Sequence, residues 1–271
     1  MNNLSVTTDK NPAEISGIIS DITRGSTHDG PGLRTVVFTK GCPLSCKWCH
    51  NPECISPEPQ TLLYPEKCIG CGMCDKGCFA GAKVKCGREM TVAKVMESVL
   101  ADRGYYAGKG GVTISGGEPM LQRAFTGALV DACKGEGIHT AVETSMIIFD
   151  KEIFKKLDLI MFDVKLPDDA RHMEWCGVPF KKIRENILAA ASLGIPMLAR
   201  TPVVPGVNAD GETLGEIRAF LEAIPAVYRW ELLPYHPLGI SKRQALGMEI
   251  TEFEIPTKKT MEELQQYAFL R

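Results

Sequence analysis

Three cysteines, Cys42, Cys46 and Cys49, follow one another as Cys-x3-Cys-x2-Cys within Gly41-Cys42-Pro43-Leu44-Ser45-Cys46-Lys47-Trp48-Cys49-His50-Asn51. A structural zinc site closes with four ligands, whereas a cubane iron–sulfur cluster held by three thiolates keeps one iron open, and an open iron implies chemistry at that iron. The rival is a zinc ion completed by His50 or Cys54, but His50 is adjacent to Cys49 and poorly placed to chelate the same ion. A second run, Cys68-x2-Cys71-x2-Cys74-x3-Cys78, has the spacing of bacterial ferredoxins. It predicts one auxiliary cubane cluster on Cys68, Cys71 and Cys74, with Cys78, Cys86 or Cys54 as the fourth ligand. The proline that usually follows the fourth cysteine is replaced by Phe79.

Nine of the eleven cysteines fall between Cys42 and Cys86. Such crowding in a secreted domain would suggest disulfides. Here the polar N-terminus, residues 1–12, has no apolar stretch of a signal peptide, and no apolar run approaches the length of a bilayer span, so a cytoplasmic location with thiols free for metal is expected. At 271 residues the chain is long enough for one large domain with an insert, and 44% hydrophobic with 24% charged residues is ordinary for a soluble protein. A formal charge of −2 from intermixed acids and bases leaves no basic block to follow a nucleic acid or an anionic membrane. The two remaining cysteines are read as bland: Cys133 as a small buried apolar residue, and Cys176 without chemistry.

The elements that must position these groups alternate. Short β-branched runs at 34–39, 111–115, 139–143, 159–165, 197–203 and 229–233 predict strands covered on both faces. Amphipathic stretches at 91–103, 121–134, 150–157, 181–193, 211–224 and 260–269 predict the crossover helices. Six such units fit either an open doubly wound sheet or an incomplete barrel. In both, ligands gather at the carboxyl ends of the strands, where Cys42, Glu118, Glu143, Lys165, Arg200 and His236 fall. Residues 52–85 break the rhythm and read as a small insert.

The cysteine triplet after the first predicted strand, together with Ser115-Gly116-Gly117-Glu118-Pro119 after the second, resembles the radical S-adenosylmethionine enzymes. Longer matches, His28-Asp29-Gly30-Pro31-Gly32-Leu33-Arg34 among them, are similar to the activating enzymes of glycyl radical enzymes, over residues of about 18–247. That resemblance implies an α/β fold, a partial (β/α)6 TIM-like barrel at 15–52 and 86–271 with a ferredoxin-like insert at 53–85. It implies a reaction in which an electron reaches the first cluster, S-adenosylmethionine is cleaved, and the 5′-deoxyadenosyl radical takes hydrogen from a glycine Cα of a partner glycyl radical enzyme. A flavodoxin or ferredoxin-type protein would supply the electron, and the chain would act as a monomer.

Site residues follow from the same resemblance. Gly116 and Gly117 would let backbone approach the cosubstrate, and a carbonyl or Glu118 nearby would accept from its ammonium; Trp48 would lie against adenine beside His50. Glu143, Thr144, Asp163, Val164, Lys165, Arg200 and His236 would line the cosubstrate pocket. Glu143, Thr144 and Asp163 would also hold a monovalent cation, and Asp29 would hold the glycine-bearing loop. Taken without the resemblance, Gly-Gly is a turn, Asp-Gly a turn and a strand-end Lys or Arg a solvated charge. Two other functions share parts of the pattern: a radical S-adenosylmethionine enzyme acting on a small molecule or peptide, and a ferredoxin-like electron carrier.

Overall fold

The computed structural model describes residues 11–271, so most of the polar N-terminus considered above lies outside the described residues. The strands are β1 (Ser16–Ser26), β2 (Arg34–Thr39), β3 (Gln60–Leu63), β4 (Lys83–Cys86), β5 (Arg88–Thr91), β6 (Gly111–Gly116), β7 (Thr140–Thr144), β8 (Leu159–Asp163), β9 (Met197–Val203), β10 (Val227–Pro234) and β11 (Phe269–Leu270). The helices are α1 (Val92–Ala101), α2 (Arg123–Gly135), α3 (Lys151–Phe154), α4 (Asp169–Cys176), α5 (Phe180–Ala191), α6 (Gly211–Glu222), α7 (Leu238–Ala245) and α8 (Lys258–Leu264).

The six strands expected from the sequence form one parallel run, β2-β6-β7-β8-β9-β10. Val36, Val37, Val112, Ile114, Val142 and Ile160 are fully buried in it, each contributing roughly 1.5–3 kcal/mol of burial. The sheet carries three further strands that periodicity did not reveal. Antiparallel β1 and β5 extend it beyond β2, and antiparallel β11 covers β10 at the other edge. Strand β1 escapes a pattern search because Asp21, Thr23 and Arg24 put polar, exposed side chains through its second half. Helices α4 and α7 were also unforeseen; each is one face of about two turns with few buried residues, too little for a helical period to show.

Helix starts obey local chemistry. Thr91, Asp168 and Asp210 cap α1, α4 and α6 by accepting amides of Lys94, Arg171 and Thr213. Helix α4 ends at Gly177, whose φ of 82° is the left-handed stop. The segment between β2 and β5 builds the β3–β4 hairpin, paired Gln60 to Cys86 and Leu63 to Lys83, with the Cys68 to Cys78 run in the connection at its tip. Leu62 and Cys86 of this hairpin pack on Ala245 of α7, which ties it to the main body.

The concave face of the sheet separates incomplete barrel from flat sheet. A small apolar cluster of Ala141, Leu159, Met161 and Leu198 lies apart from the larger core beneath the helices. Above it, residues 26–33 between β1 and β2 cross the concavity and are fixed by their carbonyls. Arg200 donates to the carbonyl of His28 at 2.6 Å, Thr113 to that of Asp29 at 2.6 Å, and Arg34 to that of Pro31 at 3.2 Å. Thr113 in turn accepts from the fully buried Arg34 guanidinium at 2.6 Å. Three strands, β2, β6 and β9, thus converge on one short loop, in keeping with the curled sheet of an incomplete barrel.

Thr113→Val keeps the shape of the side chain but orphans the Asp29 carbonyl and Arg34 Nε, at a cost of about 1–3 kcal/mol. Denaturant unfolding should show a lower midpoint with an unchanged slope, and hydrogen exchange should quicken at residues 28–31. An unaltered midpoint would mean that the anchoring is redundant.

Candidate active site

At the carboxyl ends of the strands, a cavity of about 580 Å³ brings together Cys42, Cys46 and Cys49 on one wall with Gly116, Gly117, Glu143, Thr144, Ser145, Asp163, Lys165, Arg200, Pro202 and His236. Trp48, His50, Asp29 and Ser26 also line it. A second cavity of about 730 Å³ opens beside β10 and β11 and shares His28, Arg200 and Leu233 with the first, so residues 26–31 form the partition between them.

The thiol-bearing loop is held from several directions. The amides of Gly41 and Cys42 donate to the carbonyls of Cys54 and Ile55 at 2.8 and 2.9 Å. The amides of Ser45 and Lys47 donate to Cys176 and Trp175 at the end of α4, at 2.9 and 3.1 Å. Arg243 of α7 donates to the Cys46 carbonyl at 2.5 Å. Helix α7 also packs so closely that a Cβ on Gly239 would stand 2.2 Å from the Cys49 carbonyl.

Burial pushes the Cys42 and Cys49 thiols up to about 12, so metal binding there must displace protons. Cys46 is instead lowered, chiefly by a hydrogen bond from the Cys176 thiol, which is itself raised. Cys176, to which the sequence reading gave no role, therefore lies against one of the three key sulfurs.

Among the described residues, no three Cys, His, Asp or Glu side chains converge as a single ion requires. Cys54 is buried and faces the Ser20 hydroxyl at 3.1 Å, and the His50 ring stands edge-on to His236 at 4.3 Å. Three thiols along one cavity wall fit a cubane, which takes one thiolate at each of three separate irons. The buried Arg243 Nε, which has no hydrogen-bond partner, is the kind of orphan that an anionic group nearby accounts for.

Two expected pocket residues lie elsewhere. Glu118 is fully buried and does not reach the cavity. Its carboxylate accepts from the Thr144 hydroxyl at 2.8 Å and from the Ser145 amide and hydroxyl at 2.9 and 2.5 Å, so it braces the turn after β7. Burial raises its pKa against the pull of these donors. Val164 is also fully buried, packed in the core beneath the helices because alternation after β8 turns it away from Asp163 and Lys165. Gly116 and Gly117 line the cavity, but their own chain already requires them. A Cβ would stand 2.2 Å from the Thr39 carbonyl at Gly116, where φ is 117°, and 2.3 Å from that of Gly41 at Gly117.

The charged wall is internally paired. Lys165 meets Asp163 at 2.7 Å, and Arg200 meets Glu143 at 2.6 Å and Glu231 at 3.2 Å. Burial would lower both cations, but Asp163 with the Cys46 and Cys176 sulfurs outweighs it at Lys165, Glu143 and Glu231 outweigh it at Arg200, and both are raised. Ser115 donates to Glu143 at 2.8 Å. The groups proposed for a monovalent cation, Glu143, Thr144 and Asp163, are thus already engaged. Ser145 lines the site and Arg243 stands behind it unannounced, since no spacing in the sequence marks a lone Ser or Arg.

In the hairpin, Cys68, Cys71 and Cys74 are exposed and Cys78 is half-buried. Cys86 is separated from them. It sits at the opposite end of β4 from their connection, buried with Leu62 and Ala245, its Sγ 3.9 Å from the Glu53 carbonyl.

The sequence matches the family described as the Radical SAM superfamily over residues 36–217. The chain belongs to the radical SAM superfamily. Within it, the chain falls among the activating enzymes. It is 36% identical to the isethionate sulfite-lyase activating enzyme of Desulfovibrio desulfuricans, across 90% of this chain and 91% of that protein. It is also 36% identical to the (2S)-3-sulfopropanediol dehydratase activating enzyme of Klebsiella oxytoca, across 86% of each. Streptococcus suis SuiB bound to the precursor peptide SuiA shares the fold, with a TM-score of 0.56 at 14% identity over 87% of this chain and 47% of that one. No helix among the described residues is long and apolar enough to cross a membrane.

His50 is lowered to about 4, first by burial and then by His236 and Lys242. A depressed folded pKa means that its contribution is present above the unfolded value of about 6.5 and is lost as the pH falls toward 4. The metal-free protein should lose stability across that window, and His50→Gln should flatten part of the slope in denaturant titrations. Equal slopes in both proteins would place the titrating group elsewhere.

Proposed function

We propose that this protein is a glycyl-radical-enzyme activating enzyme, which cleaves S-adenosylmethionine reductively and takes a hydrogen atom from a backbone glycine of a partner glycyl radical enzyme. The observation that carries this reading is that Asp29, on the loop that divides the two cavities, opens onto the same space as Cys42, Cys46 and Cys49. At about 580 Å³ that space is within the ordinary range for a cofactor site. When bound by those three thiolates, a [4Fe–4S] cluster with one open iron supplies the electron and the coordination that split the sulfonium, giving methionine and a 5′-deoxyadenosyl radical.

The chain's own residues bind, orient and exclude. Lys165, Arg200 and His236 offer donors for a carboxylate and a ribose, the strand end at Gly116 and Gly117 offers backbone acceptors for an ammonium, and Trp48 offers a flat apolar face beside His50. Asp29, kept in place by the carbonyl anchors on its loop, accepts amides of the glycine-bearing segment. Glycine suits the step because it has no Cβ to block close approach. A monovalent cation at Glu143, Thr144 and Asp163 competes with Arg200 and Lys165 for the same carboxylates. A cosubstrate carboxylate that draws those cations away would free the acids for the ion.

The auxiliary [4Fe–4S] cluster falls to Cys68, Cys71, Cys74 and Cys78. Cys78 is favoured as the fourth ligand because Cys54 and Cys86 are buried at the foot of the hairpin. Residues 53–85 are then an iron–sulfur insert in a domain of 15–52 and 86–271. The exposure of its cysteines suits a flavodoxin or ferredoxin-type donor in the cytoplasm, with the activating enzyme acting as a monomer.

Anaerobically reconstituted, dithionite-reduced protein should release 5′-deoxyadenosine from S-adenosylmethionine, and Cys42→Ser, Cys46→Ser or Cys49→Ser should abolish that release. Asp29→Asn should keep the release without a partner but lower the glycine-centred paramagnetic signal on a cognate partner by ~10-fold or more, the loss of one charge-assisted hydrogen bond. Wild-type protein that holds its iron yet releases no 5′-deoxyadenosine would overturn the reading.

A further inference from the structure

Arg243 lies outside the cavity wall and only 7% exposed. Its Nη2 donates to the Cys46 carbonyl at 2.5 Å and its Nη1 to the Glu249 carbonyl at 3.2 Å, while Nε is buried with no hydrogen-bond partner among the described residues. Carbonyls supply partial charge only; among the described residues no acidic side chain bonds this guanidinium. A buried, always-charged group without an anion is costly, and such a group persists where something negative offsets it. On the loop it bonds the carbonyl of Cys46, the middle one of the three thiol residues. One turn earlier, Gly239 fixes the helix against the Cys49 carbonyl.

We infer that Arg243 is the buried counter-charge of the radical cluster. It is a positioning and tuning residue, acting through the loop and through its field without touching the cosubstrate. The inference rests on the reading that Cys42, Cys46 and Cys49 hold that cluster. Three thiolates on a cubane leave a negative group in a water-poor site, and reduction adds one more electron there. A fixed cation behind the loop favours the reduced form, because cluster potentials follow net charge, hydrogen bonding and exposure. Arg243 therefore makes the first cluster easier to reduce. Nothing in the sequence signals this, since Arg243 follows Lys242 in an exposed-looking helix and stands about two hundred residues from its partner.

The test compares reconstituted wild-type protein with Arg243→Lys, Arg243→Met and Arg243→Gln by anaerobic redox titration, read by electron paramagnetic resonance. The first cluster is recognised as the signal that S-adenosylmethionine alters. If the wild-type signal does not respond to S-adenosylmethionine, the underlying reading fails, whatever the variants do. If it responds, the midpoint should move to more negative potential in the Met and Gln variants and stay near wild type in the Lys variant. Should both neutral variants lose iron while the Lys variant keeps its full complement with native circular dichroism, the charge requirement is met as retention of the cluster. Neutral variants with an unshifted midpoint, a Lys variant shifted as far as they are, or iron loss in all three would each overturn the inference and leave Arg243 a structural brace.

Discussion

The peptide groups of the thiol-bearing loop are bonded to chain segments far from it, and that bonding fixes where the three sulfurs stand. The loop's amides reach Cys54, Ile55, Trp175 and Cys176, and its Cys46 carbonyl receives Arg243. A cysteine triplet on a free loop would sample many arrangements, each with entropy to lose on binding. Here that ordering is done by folding, because the end of β2, the end of α4 and the start of α7 meet over one short stretch. Close approach is what makes the meeting possible: Gly116, Gly117, Gly177 and Gly239 each stand where a side chain would strike a neighbouring segment.

A second constraint, the partition loop, follows the same logic from the other side of the cavity. Its carbonyls are taken by Arg34, Thr113 and Arg200, all rooted in strands of the curled sheet. Arg200 belongs to both systems, since it also pairs with Glu143 and Glu231 at the cavity wall. One guanidinium thus ties the charged wall of the cavity to the loop that carries Asp29.

Many polar residues near the site serve the scaffold. Glu118 shows this plainly: its place beside the glycine pair suggested a ligand, yet the carboxylate is consumed by Thr144 and Ser145. Bracing of this kind keeps the turn after β7 in position to line the cavity. Lys242 behaves similarly, holding Glu53 at 2.6 Å and the His50 carbonyl at 3.2 Å, and so connecting the loop, the hairpin and α7.

The sequence by itself determined what depends on order along the chain. Cysteine spacing set the choice between an open cluster and a closed zinc site, and short β-branched apolar runs located the six parallel strands to within a residue or two. Buried strands have no freedom in which side chains face the core, so their pattern is written locally. What only the tertiary structure decided depends on partners remote in sequence. Periodicity could not distinguish a curled sheet from a flat one, because curvature is a relation between strands. Neither could it move Glu118 off the cavity, part Cys86 from the ferredoxin-like run, or bring Cys176 and Arg243 against Cys46. Hydrogen bonds and ion pairs between residues tens to hundreds of positions apart leave no local signature, since either partner alone looks like an ordinary polar side chain.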